Sequence, residues 1–220
     1  MISKKAQDVL SYLHKDFENA FAGLNFDNDY QCLVAIILSA QTTDKSVNRI
    51  SPALFSHFPD FEALGNARIE DIEKDIKTLG LYHNKAKSIK NLGEVMTKEY
   101  GGIIPEDRKT LTSLPGVGIK TAGVFLLERR GLQVIPVDTH VRRISIRLGF
   151  AKDGDDFVTI EKKLEKAFPL EEHAFAHHSI IAFGRNKCFA QNPNCVDCPL
   201  QGYCSFFKSS STKGKKSKRG

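Results

Sequence analysis

The sequence predicts an all-α protein. Apolar residues recur at intervals of three and four along nearly the whole chain, and residues that stop and start helices fill the gaps between these runs. The strand-like stretch Val134-Ile135-Pro136-Val137 is short and broken by proline. At 220 residues and 41% hydrophobic content the chain builds a core without disulfide or metal staples, so size alone demands no cofactor.

Each element follows from its spacing. Leu10, Leu13, Phe17 and Phe21 mark the apolar face of a first helix. Further helices are expected over about 30–40 and 44–57, and Ile69, Ile72, Ile76 and Leu79 mark another before Gly80 stops it. Helices over 82–100, 107–114 and 119–130 come next, divided by Gly101-Gly102 and Pro105. Asp138 is placed as the N-cap of a helix over 139–149. Phe157, Ile160, Leu164 and Phe168 mark the next helix, and one over 172–184 completes a set of about ten. No fixed-period repeat is present.

The longest apolar run, Leu33 to Leu38, is far shorter than the roughly 20 residues of a membrane-spanning helix. The opening residues have no secretory core, so the cytoplasm is the expected compartment, with nucleoid association in a bacterium. The net charge of +6 lies wholly in the tail. Lys208, Lys213, Lys215, Lys216, Lys218 and Arg219 stand in the last thirteen positions with no acid, leaving 1–207 formally neutral. Such a Ser/Lys/Gly segment, 208–220, reads as disordered, either a solubilising end or a polyanion tether.

Three motifs carry chemistry. Cys188, Cys195, Cys198 and Cys204 are spaced C-x6-C-x2-C-x5-C, while Cys32 stands alone in an apolar helix and reads as core. A cytoplasmic chain opposes disulfides, and a zinc site made of four cysteines usually shows two tight pairs where this one shows only Cys195/Cys198. The wide arms suit a [4Fe–4S] cluster, with zinc the alternative. The second motif is Leu114-Pro115-Gly116-Val117-Gly118-Ile119-Lys120-Thr121-Ala122. Its glycines permit a tight turn that aims backbone N–H groups outward beside a helix start, a phosphate-binding arrangement, although a plain linker has the same composition. Lys120, in the first helical turn, suits either a phosphate contact or, as a free amine, a nucleophile. The third is Val137-Asp138-Thr139-His140-Val141-Arg142-Arg143, whose aspartate serves as a helix cap or as a carboxylate facing a cationic transition state.

Together with Leu38-Ser39-Ala40-Gln41-Thr42-Thr43-Asp44 and Gly80-Leu81-Tyr82, these motifs stand in the order and nearly the spacing of one family. Over about residues 1–207 the chain resembles the endonuclease III family, bifunctional DNA glycosylase/AP lyases of the helix–hairpin–helix superfamily. The resemblance implies two helical domains flanking a DNA-binding cleft. One is a six-helix barrel over 22–133 with the DNA-binding hairpin at about 114–122; the other is a discontinuous iron–sulfur domain made of 1–21 and 134–207. It favours the [4Fe–4S] cluster over zinc. By position it makes Lys120 the nucleophile and Asp138 the catalytic aspartate. Gln41 becomes the residue that fills the gap left by an extruded nucleotide, and Leu81 the wedge at the opposite strand. Leu114, Pro115, Gly116, Val117, Gly118, His140, Arg185 and Lys187 are further expected DNA contacts.

The implied activity is removal of oxidised pyrimidines by a monomer acting on double-stranded DNA with damaged bases or abasic sites. Cleavage of the abasic site proceeds by β-elimination through a lysine Schiff base. Extrusion of the target nucleotide costs a few kcal/mol, less at a damaged pair. The alternatives are a monofunctional adenine or mismatch-thymine glycosylase, whose members usually lack a lysine at position 120, and a non-catalytic iron–sulfur DNA-binding module. Two departures bear on substrate preference: Ile119 where many relatives carry a basic residue, and Gly123 where they carry asparagine.

Overall fold

The computed structural model describes residues 2–21 and 23–216, with side chains through residue 210. Among these residues there are twelve α-helices and no strand. No helix among them is long and apolar enough to cross a membrane. By its internal contacts the chain divides into two units, Ala22–Leu132, and Met1–Phe21 with Gln133–Gly220.

The contiguous unit holds α2 (Asp29–Leu38), α3 (Asp44–His57), α4 (Phe61–Asn66), α5 (Ile69–Ile76), α6 (Tyr82–Tyr100), α7 (Arg108–Leu111) and α8 (Ile119–Arg130). Asn28, Thr43, Asp60 and Asp107 cap four of these helices, each side-chain oxygen accepting a first-turn N–H as such residues do. In α2 every residue from Cys32 to Leu38 is buried, so this helix is apolar all round because the others surround it. Leu54, Leu64, Ile72, Ile89, Leu92, Met96 and Phe125 complete the core around it. The short α4 was not anticipated, because six residues hold too little periodicity to register. It is fixed by Asp60 and by a close crossing with α6, where a Cβ on Gly93 would lie 2.5 Å from the Gly65 nitrogen. Glycine at both positions lets the two backbones meet.

The discontinuous unit holds α1 (Lys4–Phe17), α9 (Thr139–Arg147), α10 (Phe157–Ala167), α11 (His173–Asn186) and α12 (Ser205–Lys216). Val9 and Leu13 of α1 enter one core with Ile135, Val141, Ile160, Leu164, Ile180 and Phe183. Helix α1 ends at Phe17 rather than running on to Phe21, which is 76% exposed. The segment from Gln133 to Val137 is neither helix nor strand, and two of its carbonyls are taken by buried histidines: Gln133 O by His173 Nδ1 and Pro136 O by His177 Nδ1, both at 2.9 Å.

Helix α12 takes up the first part of the tail expected to be disordered from residue 208. Helix α12 runs through Lys216, and Ser217–Gly220 lies outside the described residues. The physical reason is at its start: Phe206 lies under the Arg147 guanidinium at 4.2 Å, and Ser209 and Ser210 hydroxyls donate to Phe206 O. Anchoring that first turn puts the costly nucleus of the helix in place.

Candidate functional site

In the contiguous unit, the single-turn helix α7 runs into the 114–118 turn and then α8. Leu114 and Val117 are buried and anchor the turn, while Gly116 and Gly118 lie exposed between and after them. Val117 N–H donates to Leu114 O at 3.1 Å, closing a β-turn in which Gly116 takes φ +77°. A side chain at Gly116 would also begin 3.0 Å from Ser88 Cβ of α6 and 3.3 Å from Ile37 Cγ2 of α2, so both conformation and space require glycine. Gly118 caps α8 without supplying a side-chain acceptor, the condition under which a helix start takes a phosphate oxygen. Lys120 lies exposed in the first turn of α8.

Gln41 and Leu81 belong to the same unit. Both adopt positive φ, 53° and 59°, and among the described non-glycine residues only Asn192 shares this conformation. Leu81 is 56% exposed and stands directly before α6; Gln41 is exposed just beyond α2. Strained, solvent-facing side chains of this kind persist where neighbouring structure fixes them, and they mark functional sites more often than packing. The Nζ of Lys85, in α6, donates to the Thr42 hydroxyl and so joins the two segments. Sequence reading passed over Lys85; its signal was a lysine one turn beyond Leu81.

In the other unit, Asp138 caps α9: its Oδ1 accepts from Val141 N–H at 2.8 Å. The carboxylate is half-buried, and capping holds it in one orientation. Burial holds the pKa of nearby His140 below its usual value, with Asp138 pulling it up and Arg143 and Arg185 pushing it down. A guanidinium can only donate, so the 3.2 Å contact of Arg143 Nη2 with His140 Nδ1 makes Nδ1 the acceptor and leaves the proton on Nε2. Arg185 is exposed, in the last turn of α11. The Lys187 ammonium donates to Asp197 O at 3.1 Å and lies 5.6 Å over the Tyr12 ring.

Cys188, Cys195, Cys198 and Cys204 form no disulfide and line one hollow with Ile144, Leu148, Phe183, Phe206 and Phe207. Among the described residues no three His, Cys, Asp or Glu side chains converge closely enough to hold a single metal ion. A cubane suits this donor set, since four irons at separate corners reach four separated thiolates. The surroundings suit sulfur anions as well: Arg147 Nη1 donates to Cys188 Sγ at 3.1 Å and Phe207 N–H to Cys204 Sγ at 3.4 Å. Two arginines one turn apart on α9 grip the loop. Arg143 donates to Cys188 O and Gly184 O, and Arg147 to Phe189 O at 2.7 Å and Ala190 O at 3.0 Å. The sequence assigns neither this role, although Arg143 stands within the Asp138 motif and Arg147 follows it one turn on. Cys32, by contrast, is fully buried in α2, with its thiol pushed up to about 12 by burial and by Glu128. It is a core residue.

Comparison with known proteins accords with this geometry. Residues 34–170 match the model of the HhH-GPD superfamily of base excision DNA repair proteins, and residues 188–204 match that of the iron–sulfur binding domain of endonuclease III. The chain is 41% identical over 201 residues to endonuclease III of Bacillus subtilis, covering 91% of this chain and 92% of that protein. It is 36% identical over 206 residues to endonuclease III of Escherichia coli K12, with 94% and 97% covered. The solved structure of a trapped endonuclease III–DNA covalent intermediate superposes with a TM-score of 0.89 at 39% identity, covering 96% of this chain and all of that one.

Proposed function

The chain belongs to the endonuclease III family of base excision DNA repair proteins, and on that premise we propose that it removes oxidised pyrimidines from duplex DNA and cleaves the abasic site with Lys120 as nucleophile. It is a DNA glycosylase and abasic-site lyase that carries a [4Fe–4S] cluster. The observation that carries the assignment of roles is the placement of exposed Lys120 in the first turn of α8, directly after the glycine turn, in the same unit as the strained Gln41 and Leu81. Phosphate held at the helix start would bring a sugar to the amine.

Chemistry follows from the residue types. Gln41 and Leu81 enter the stack where the damaged nucleotide leaves it, offsetting the cost of extrusion. The Lys120 amine attacks C1′, the glycosidic bond breaks, and the base departs with its electron pair and a proton. Loss of a proton from nitrogen and opening of the sugar give a Schiff base. Removal of a C2′ proton then sends electrons into the new C2′–C3′ double bond and expels the 3′ phosphate. Water finally hydrolyses the imine and frees Lys120. Asp138 holds negative charge toward the cationic sugar as the base leaves. Cys188, Cys195, Cys198 and Cys204 hold the cluster, whose part is to fold the loop that α9 grips. Gly116, Gly118, Pro115 and the buried anchors Leu114 and Val117, with His140 and Arg185, make backbone contacts that position the duplex without reading its sequence. A single chain suffices, working on chromosomal DNA in the cytoplasm.

Lys120→Gln keeps polarity and most of the length but removes the amine. Duplex binding should survive, while strand cleavage and the borohydride-trapped adduct on an abasic duplex disappear. Undiminished trapping by this variant would transfer the role to another amine. Release assays on a panel of duplexes carrying oxidised pyrimidines test the substrate assignment.

A further inference from the structure

Lys85 is 5% exposed, an unusual place for an ammonium, and the acceptor it reaches is a neutral hydroxyl. Burial pushes its pKa down. A group kept there against such a cost has work to do, and its neighbours say what kind. Lys85 and Ser88 are spaced by three, so they share one face at the start of α6, and Leu81 stands directly before that helix. Leu81 is exposed there. One turn on, Lys85 donates to Thr42 Oγ1, and that hydroxyl donates in turn to Ala40 O at 3.4 Å. The second bond spans Gln41, so Gln41 is held in its left-handed conformation from both sides, helped by Thr42 N–H donating to Ser39 O at 3.0 Å. A further turn on, Ser88 lies where Gly116 of the hairpin meets α6. The start of α6 thus follows Leu81, bonds the residue next to Gln41 and meets the phosphate-binding turn.

We propose that Lys85, acting through Thr42, is a positioning residue that makes Gln41 and Leu81 a single rigid extrusion element, so that both enter the duplex in one step. The inference rests on the glycosylase reading given above and adds a partner to it. Lys85 touches neither the reacting sugar nor the base; it fixes the geometry of the two side chains that replace them. Its contribution is therefore confined to substrates from which a nucleotide must be pulled out of a stack.

The test uses the full holoprotein and three variants: Lys85→Met, Thr42→Val and Thr42→Ser. Each acts on one oxidised pyrimidine in a paired duplex, on the same lesion in an unpaired bubble, and on a preformed abasic duplex. Extrusion is read separately from the fluorescence of 2-aminopurine placed beside the lesion. Lys85→Met and Thr42→Val should each lower kcat on the paired duplex by about tenfold, as loss of a charged hydrogen bond would. On the bubble and on the abasic duplex both should stay within about twofold of wild type, because little extrusion remains to be done. Thr42→Ser keeps the hydroxyl and should behave as wild type. The fluorescence rise should slow in parallel with paired-duplex excision. Equal losses on all three substrates would make the bond merely structural and overturn the proposal, as would wild-type extrusion in both Lys85→Met and Thr42→Val. If Lys85→Met fails to fold, Thr42→Val against Thr42→Ser decides alone. The wild type's own base release tests the glycosylase reading independently, since only the ratio of variant to wild type, in fluorescence as in rate, bears on the coupling.

Discussion

Leu81 shows most plainly what a single residue contributes. A leucine in the left-handed region costs roughly 1–2 kcal/mol relative to ordinary helical backbone, and this one leaves most of its side chain in water. Asparagine tolerates the same backbone. Leu81→Asn should therefore raise Tm by about 2–4 °C, the shift expected for about 1 kcal/mol in a chain of this size, while excision from paired duplex falls. A drop in Tm would identify Leu81 as a packing residue. Composition and spacing gave no sign of this strain, because leucine ordinarily reads as core; only the family motif singled it out. The cysteines lie at the other extreme. Their spacing alone set Cys188, Cys195, Cys198 and Cys204 apart from buried Cys32.

Elements were legible where apolar periodicity is long. The expected spans 44–57, 82–100 and 119–130 coincide with α3, α6 and α8, since each spans enough turns for a face to show. Short α4 and the onset of α12 depend instead on a close glycine crossing and on Phe206 meeting Arg147, contacts between distant positions that no local window contains. Two predictions belong at this scale. The first concerns α9 and the cluster loop. Arg147→Lys keeps the charge but cannot supply a planar fork to Cys188 Sγ, Phe189 O and Ala190 O at once. Loss of the cluster's absorbance under oxidation should accelerate by about tenfold or more, given charged hydrogen bonds worth about 1.5–3 kcal/mol each. An unchanged rate would show the loop to be self-supporting. The second concerns α2 and α8. Burial pushes the Asp29 carboxyl up, but bonds and charges from Arg129 and Arg130 outweigh it and hold the group below its ordinary 3.8. The stability this confers is complete above that value and is lost as pH falls through the lower folded one. Asp29 is about a third exposed, so solvent screening limits the contribution to about 1 kcal/mol. Asp29→Asn should lower Tm at pH 7 and match wild type in strong acid; a gap that persists at low pH would refute the ion-pair account.

At the scale of the whole molecule, charge is separated from chemistry. The excess cations follow residue 207, whereas Lys120 and Asp138 lie in a formally neutral body. Removing 208–220 should weaken binding to undamaged duplex without changing base preference. Each cation that pairs with a phosphate adds about 0.9 to the dependence of log affinity on log salt, so the slope should fall by at most about 5. An identical slope after truncation would make the tail passive. The discontinuous unit has a consequence of its own, in the order of events during synthesis. Helix α1 is made first, yet its packing partner α11 lies more than 150 positions later. At about 5–20 residues per second, α1 waits roughly 8–30 s for that partner, with Val9, Leu10 and Leu13 exposed on the nascent chain. Meanwhile Ala22–Leu132 has every partner it needs and can fold. The cysteine loop, Cys188 to Cys204, follows α11 directly, so the residues that would hold the cluster are made only once both helices of that pair have been made.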